Sequence, residues 1–150
     1  MPAKFVHTNL VAQDWRRLAA FYEAVFGCTP IPPERDLVGQ WLDAVTGVAQ
    51  ARILGVHLRL PGYGTGGPTL EIFQYDREME RPATAVNRPG FGHIAFAVEN
   101  VEAARDAVLA AGGRAVGALV SARIPSAGTI TVVYVTDPEG NVIELQRWTE

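Results

Sequence analysis

An internal duplication constrains the fold of this chain more than any other feature. A gapless shift of the sequence that aligns His7 with His93 also aligns a strand, a helix cap and a closing glycine: Phe5 with Phe91, Leu10 with Phe96, Asp14 with Asn100 and Gly27 with Gly113. Such self-similarity indicates two copies of one supersecondary unit. The chain is therefore expected to build its fold from two related halves, each with a histidine on its first strand.

The second copy is the clearer one. Residues 90–98 alternate as a strand whose one face carries large apolar groups and whose other face carries His93. Asn100 can cap a helix over 101–111, which Gly112 and Gly113 close. The apolar face is expected to pack on this helix, so the histidine projects away from it.

The remaining patterns complete the two halves. Strands are predicted over 4–11, 49–60, 69–75, 114–120, 129–136 and 142–146, and a helix capped by Asp14 is predicted to end at residue 26. Three prolines break the pattern within 30–48, where 37–45 is either a short helix or irregular. The polar segment 76–89 should be a surface connection. The predicted class is α+β: one domain over 1–150 with two tandem βαβββ modules, about 1–78 and 88–150, forming a cupped mixed sheet with helices on its outer face.

Two local features are assigned structural roles. Gly62, Gly64 and Gly67 spell G-x-G-x-x-G, but a proline and a strand follow where a dinucleotide site requires a helix. This segment is expected to be a tight turn or a mobile loop. Cys28, at a helix exit, is expected to be a small apolar residue rather than a nucleophile.

Composition excludes several classes of partner. The formal net charge is −3, so there is no basic footprint for nucleic acid, and no apolar run approaches the ~18 residues of a membrane span. The first residues lead directly into a strand without a signal-peptide pattern, and a single cysteine cannot form an internal disulfide. We expect a soluble cytoplasmic protein that binds a small molecule.

Each half also ends on a repeated motif. Leu70-Glu71-Ile72 matches Ile143-Glu144-Leu145, a carboxylate between two large aliphatics in a strand. Alternation places the aliphatics toward the helix and the glutamate on the opposite face. Each half thus contributes one histidine and one glutamate to the face away from its helix.

This donor set suits a divalent cation. Two neutral imidazoles and two carboxylates from His7, Glu71, His93 and Glu144 would balance the charge of the ion and leave positions open for substrate or water. A lone strand histidine is usually a satisfied polar residue and a lone glutamate usually lies at a wet sheet edge. The repetition favours a metal site, with an intact fold that has lost its metal as the alternative.

These residues resemble the vicinal oxygen chelate superfamily, which includes glyoxalase I, methylmalonyl-CoA epimerase, extradiol dioxygenases and proteins of fosfomycin and bleomycin resistance. The resemblance rests on four motifs that span most of the chain: residues 6–8, 70–72, 92–96 and 137–144. It implies paired βαβββ modules around one metal site, often within a homodimer. The ion expected from the resemblance is Ni, Zn, Co, Mn or Fe.

The resemblance also narrows the function. The four ligands match glyoxalase I, whereas the epimerase usually has glutamine at the position of Glu71 and the dioxygenases use three ligands. Glyoxalase I usually carries an arginine, which holds the glutathione carboxylate, where this chain has Val11. We therefore expect a metal-dependent lyase or isomerase that transfers a proton through a chelated enediolate on another small substrate. The alternatives are a ring-cleaving dioxygenase and a small-molecule-binding resistance protein.

The resemblance assigns roles to the carboxylates. Glu144 is the expected general base and Glu71 the second candidate. Two further residues are candidates for substrate binding: Tyr134, which could instead be a core aromatic, and His57, which could instead lie at the surface or in the core.

Overall fold

The computed structural model describes residues 2–150, which divide between Glu80 and Arg81 into two compact units. Each unit contains one mixed sheet and its own helices, so the predicted α+β class is confirmed. The two units are described separately below.

Unit 1 has four strands and two helices: β1 (His7–Val11), α1 (Trp15–Phe26), β2 (Thr29–Val38), α2 (Gln40–Thr46), β3 (Arg52–Arg59) and β4 (Thr69–Tyr75). The strand order is β1-β4-β3-β2, with β1 parallel to β4 and the other neighbours antiparallel. The first strand of the chain is therefore at one edge of the sheet, next to the strand that carries Glu71.

Helix α1 forms where the sequence predicts it. The Asp14 carboxylate accepts a hydrogen bond from the backbone N–H of Arg17 at the first turn. Gly27 ends the helix in the left-handed conformation, with φ of 70°, and its N–H donates to the carbonyl of Glu23. Leu18 and Tyr22 are fully buried, and the helix contacts β3 and β4. One face of the sheet is thereby covered.

The proline-rich segment differs from the prediction. No strand was predicted within 30–48, but residues 29–38 form the edge strand β2, with a register shift between Ile31 and Arg35. An edge strand tolerates prolines because one row of its backbone groups needs no ladder partner. The short helix considered for 37–45 is present as α2, displaced toward the C-terminus.

Helix α2 packs on the sheet face opposite α1, which the prediction of helices on one face did not include. Its buried Leu42 belongs to a cluster with Ala51 and Ile53, against which Leu37, Phe73 and Tyr75 pack. Ile53, Phe73 and Tyr75 share a face by strand alternation and register. Helix α2 therefore covers one end of the second face of the sheet and leaves the other end to polar residues.

Unit 2 has five strands and one helix: β5 (Ile94–Ala97), α3 (Val101–Ala110), β6 (Arg114–Ala115), β7 (Val120–Ile124), β8 (Gly128–Thr136) and β9 (Val142–Thr149). Strand β9 lies between β5, to which it is parallel, and β8, and both β6 and β7 pair with β8. The strand predicted over 114–120 is wrong, because two separate short strands share this edge. The strand predicted over 90–98 is shorter, and His93 immediately precedes it.

The packing of unit 2 confirms the predicted faces. The Asn100 side chain accepts a hydrogen bond from the N–H of Ala103 and caps α3. The buried residues of α3 are Val101 and Val108, and the helix contacts β8 and β9. Ile143 and Leu145, which flank Glu144, are fully buried. Burial of these aliphatics directs the glutamate to the other face of the sheet.

The two local predictions are confirmed. Residues 61–68 form turns that lead into β4, where the N–H of Gly67 donates to the carbonyl of Gly64. Cys28 is buried, and burial raises the pKa of its thiol to about 11, so it is a poor nucleophile at neutral pH. In the described part of the chain, no helix is long and apolar enough to cross a membrane.

Candidate functional site

The face of the unit 1 sheet opposite α1 carries the polar residues of the candidate site. His7 and Asn9 lie on it from β1, His57 and Arg59 from β3, and Glu71 from β4. We call this face of the unit 1 sheet the histidine face. Glu71 is the cross-strand partner of both Asn9 and His57. Three neighbouring strands of the sheet thus bring their side chains together at one carboxylate.

Both oxygens of Glu71 have hydrogen-bond partners. The amide of Asn9 donates to Oε1 at 2.8 Å, and Nε2 of His57 lies 2.8 Å from Oε2. Nε2 of His7 is farther away, at 3.7 Å from Oε1. Only 8% of the Glu71 surface is exposed, and a buried carboxylate without such partners would be very costly. Asn9 and His57 therefore hold this carboxylate in a defined orientation.

The protonation state of His57 follows from its surroundings. Burial lowers the pKa of its imidazole, and the charges of Arg35 and His7 act in the same direction, while the Glu71 carboxylate opposes the shift. At neutral pH the ring is neutral, and it donates a single N–H from Nε2 to Glu71. The pair is thus a hydrogen bond between an imidazole and a carboxylate.

Unit 2 repeats the arrangement around Glu144. Nε2 of His93 lies 2.8 Å from Oε2 of Glu144, and the His93 and Tyr134 rings are 5.0 Å apart between centroids. Burial raises the pKa of the Tyr134 phenol, and the charge of Glu144 and a hydrogen bond to it add to this shift. The phenol therefore stays protonated and donates to the carboxylate. Tyr134 thus lies beside the candidate base, and its role in substrate binding stays a prediction.

The strand registers show which residues of the two units correspond. His57 is opposite Glu71 as Tyr134 is opposite Glu144, so the two candidate substrate-binding residues occupy equivalent positions. Asn9, by contrast, corresponds to Ala95, which has no side-chain donor. The two carboxylates are thus held differently, because among residues 2–150 Glu71 accepts from an amide side chain and Glu144 does not.

Asn9 was missed by sequence reasoning, although a signal was available. It follows His7 by two positions in a predicted strand, and strand alternation places such residues on the same face. Asparagine has no charge and is not a preferred metal ligand, so the search for histidines and carboxylates passed over it.

Neither unit alone provides a metal site. Within each unit, residues 2–150 contain no group of three or more His, Cys, Asp and Glu side chains that is arranged to hold an ion. A site of four ligands requires residues from both units. The convergence of His7 and Glu71 with His93 and Glu144 therefore stays a prediction.

The fold has two units, each with a sheet, a helix and a histidine beside a strand glutamate. This combination defines a class of protein, and the comparison with protein families identifies the same class. The family model described as "Glyoxalase/Bleomycin resistance protein/Dioxygenase superfamily" matches residues 4–145. The chain belongs to this superfamily. A curated relative from Synechocystis sp., described as a probable lactoylglutathione lyase, is 33% identical over 107 residues, which cover 62% of this chain and 77% of the relative.

Solved structures share the fold at low sequence identity. A glyoxalase family protein from Bacillus cereus has a TM-score of 0.76 at 18% identity, covering 99% of this chain and 94% of its own. The fosfomycin resistance protein FosX from Listeria monocytogenes has a TM-score of 0.63 at 17% identity, covering 99% and 96%. A FosX variant solved with Mn(II) and 1S,2S-dihydroxypropylphosphonic acid has a TM-score of 0.55 at 18% identity, covering 99% and 95%. These similarities establish the fold.

Proposed function

We propose that this protein is a metal-dependent lyase or isomerase that transfers a proton on a small oxygenated substrate. The observation that carries the proposal is the repeated contact between a histidine and a strand glutamate, which is buried in unit 1 and partly buried in unit 2. In unit 1 the carboxylate also binds His57 and Asn9. Shielding a carboxylate from water is costly, so its repetition beside a histidine in each unit favours a function.

The chemistry of the donors fits a divalent cation. His7, His93, Glu71 and Glu144 would hold it with two imidazole nitrogens and two carboxylates, a set that suits Ni, Zn, Co, Mn or Fe. When bound, the ion supplies a Lewis acid that stabilises negative charge on the substrate oxygens. His57 and Asn9 orient Glu71, as hydrogen-bonding partners commonly orient metal-binding carboxylates.

The difference between the two carboxylates supports a division of roles. Glu71 has both oxygens engaged by Asn9 and His57, which suits a fixed ligand. Glu144 has no amide partner, because Ala95 occupies the position that corresponds to Asn9. We assign Glu144 as the base that accepts a proton from substrate carbon, with the protonated Tyr134 beside it as a donor to the carboxylate or to substrate.

The relatives support this proposal in general terms. One is described as a probable lactoylglutathione lyase, and the FosX variant was solved with Mn(II) and a dihydroxyphosphonate. A homodimer belongs to the same proposal, on the strength of the family resemblance. The cytoplasmic location expected from the sequence stays a prediction.

Metal analysis tests the proposal. Protein stripped with a chelator and dialysed against Mn(II), Ni(II) or Zn(II) should retain about one tightly bound ion per site, as measured by inductively coupled plasma mass spectrometry. The His7→Ala variant should lose this ion, because no donor atom replaces the imidazole. A wild-type protein that retains none of these ions would contradict the proposal, and oxygen uptake on catechols by an iron-loaded form would favour the dioxygenase instead.

Glutathione hemithioacetals should be poor substrates. Val11 occupies the position where glyoxalase I carries an arginine, and it lies opposite Phe73 on the histidine face, where neither side chain can pair with a carboxylate. A kinetic assay with methylglyoxal and glutathione measures this, and we expect a kcat/KM far below that of an efficient enzyme. A value above roughly 10⁶ M⁻¹s⁻¹ would show that the substrate assignment is wrong.

A further inference from the structure

We propose that Arg59, assisted by Arg35, forms an oxyanion-binding subsite on the histidine face and selects substrates that carry a carboxylate or phosphonate group. This inference deepens the proposed function, on which it rests for its substrate, but the anion binding itself can be tested separately. Strand register, an unpaired buried donor and the distribution of charge in unit 1 all place this subsite at Arg59.

The position of Arg59 is set by β3. It is the last residue of that strand and follows His57 by two positions, so both side chains leave the sheet on the same face. Its cross-strand partner is Thr69, which is in turn the partner of His7 on β1. Arg59 therefore belongs to the row of the sheet that contains a candidate metal ligand.

The guanidinium of Arg59 contains an unpaired donor. Its Nε is buried, and it has no hydrogen-bond acceptor among residues 2–150. A buried donor of this kind normally has a partner, because leaving it unsatisfied costs free energy. The geometry of the guanidinium fits a planar or tetrahedral oxyanion, which accepts two parallel hydrogen bonds.

Other arginines of unit 1 show what a paired guanidinium looks like in this protein. Arg16 donates two hydrogen bonds to Glu34, and Arg52 donates two to Asp36. Both of these pairs are exposed to solvent, where such pairs contribute little stability. Arg59, which is less exposed, forms no ion pair with a carboxylate of residues 2–150.

A second arginine reaches the same face through the irregularity in β2. The register shift after Ile31 places Arg35 opposite Gly55, which precedes His57 by two positions on β3 and so lies on the same face. Arg35 donates to the carbonyl of Pro33, which fixes its side chain, and its charge acts on the His57 ring. The proline-rich strand β2 thus brings a cation to the histidine face.

The nearby Glu71 carboxylate forms no ion pair with either arginine among residues 2–150. Both oxygens of Glu71 are engaged by Asn9 and His57, and Glu71 is the acidic residue of the histidine face. Positive charge beside a site that already holds its carboxylate favours an anionic ligand. In unit 2, Thr136 follows Tyr134 by two positions, as Arg59 follows His57, so the charge is not part of the duplicated pattern.

A matched pair of probes tests the subsite. Mandelate and 1-phenyl-1,2-ethanediol share a ring and a hydroxyl group, and differ in that one has a carboxylate where the other has a hydroxymethyl group. Their binding is measured by ligand-observed NMR titration, first with chelator-treated protein and then with the same protein loaded with Zn(II). The variants are Arg59→Gln, Arg59→Lys and the control Arg17→Gln, which removes an exposed arginine of α1 on the other side of the sheet.

We expect wild-type protein to prefer mandelate, and Arg59→Gln to bind it roughly 10- to 100-fold more weakly, the usual effect of losing hydrogen bonds to a charged group. Binding of the diol should stay within about twofold of wild type, since the diol carries no charge for the arginine to pair with. Arg59→Lys should be intermediate, because it keeps the charge and loses the paired donors. Arg17→Gln should behave as wild type.

Two results would overturn the subsite: an unchanged affinity of Arg59→Gln for mandelate, or an equal loss of diol binding. The metal proposal fails separately. If the chelator-treated protein shows the Arg59-dependent preference while no divalent ion binds, the subsite stands and the metal-dependent function is wrong. If the ion binds and the preference for mandelate is absent, the subsite is wrong and the metal proposal stands.

Discussion

Glu144→Gln is expected to lower turnover by roughly 10²- to 10⁴-fold while leaving much of the metal bound. The amide oxygen can still coordinate an ion, but an amide is not a useful base at neutral pH. The Tyr134 hydroxyl can also donate to the amide oxygen, so the hydrogen bond seen in the native site has a substitute. Metal content and turnover of the best substrate from a panel of small hydroxy-carbonyl compounds are to be measured on the same samples.

Two companion variants separate the roles of base and ligand. His93→Ala should lose both the ion and the activity, because it removes a donor and leaves the Glu144 carboxylate without its imidazole partner at 2.8 Å. Glu71→Gln should be milder than Glu144→Gln, since its carboxylate is assigned to holding the ion and an amide oxygen can remain a ligand. It also leaves an oxygen that can accept from Asn9.

The assignment of the base would be wrong if Glu144→Gln retained full activity with its metal in place. A site that acts through its Lewis acid alone, or that activates oxygen, would then be the better explanation. A larger loss in Glu71→Gln than in Glu144→Gln would exchange the roles of the two carboxylates, and would indicate that the contacts of Glu71 with Asn9 and His57 tune a base.

Leu145→Ala is expected to lower the free energy of unfolding by about 2–5 kcal/mol. Leu145 is fully buried, is the cross-strand partner of the buried Val133, and lies on the face of β9 that carries the core of unit 2. Truncation removes its apolar contacts and leaves a cavity that the sheet and helix close only partly. Urea unfolding followed by circular dichroism measures the change.

The matched control is Leu109→Ala. This leucine is on α3 but is 39% exposed, so its truncation should cost less than about 1 kcal/mol. Equal losses at the two positions would show that burial on this face of β9 does not determine the stability of unit 2. The comparison also tests the packing that directs Glu144 to the opposite face. Leu145 follows Glu144 in β9, and neighbouring residues of a strand point to opposite faces, so burial of Leu145 turns Glu144 away from the core.

Local signals predicted most of the secondary structure. Asp14 and Asn100 cap the predicted helices, and the alternation around Glu71 and Glu144 correctly placed the flanking aliphatics in the cores. The main errors were at edges. Strand β2 was missed because prolines oppose a central strand but are tolerated at an edge, and a sequence does not show which strand will be the edge.

The partners of each site residue were less predictable. His57 was selected as a candidate, but its contact with Glu71 depends on the antiparallel register of β3 and β4. Asn9 reaches the same carboxylate through the parallel register of β1 and β4, which are separated by more than half of unit 1. A shift of one residue in either register would turn these side chains to the other face.

By itself, the sequence determined the duplication, the α+β class and the identity of the four candidate ligands, because alternation within one strand and capping of one helix are local effects. The tertiary structure alone decided that His57 and Asn9 hold Glu71, that α2 covers one end of the histidine face, and that Arg59 lies on that face with a buried donor unpaired. Those outcomes depend on which strands become neighbours and in which register, and that choice is made by the packing of the whole unit rather than by any one segment of the chain.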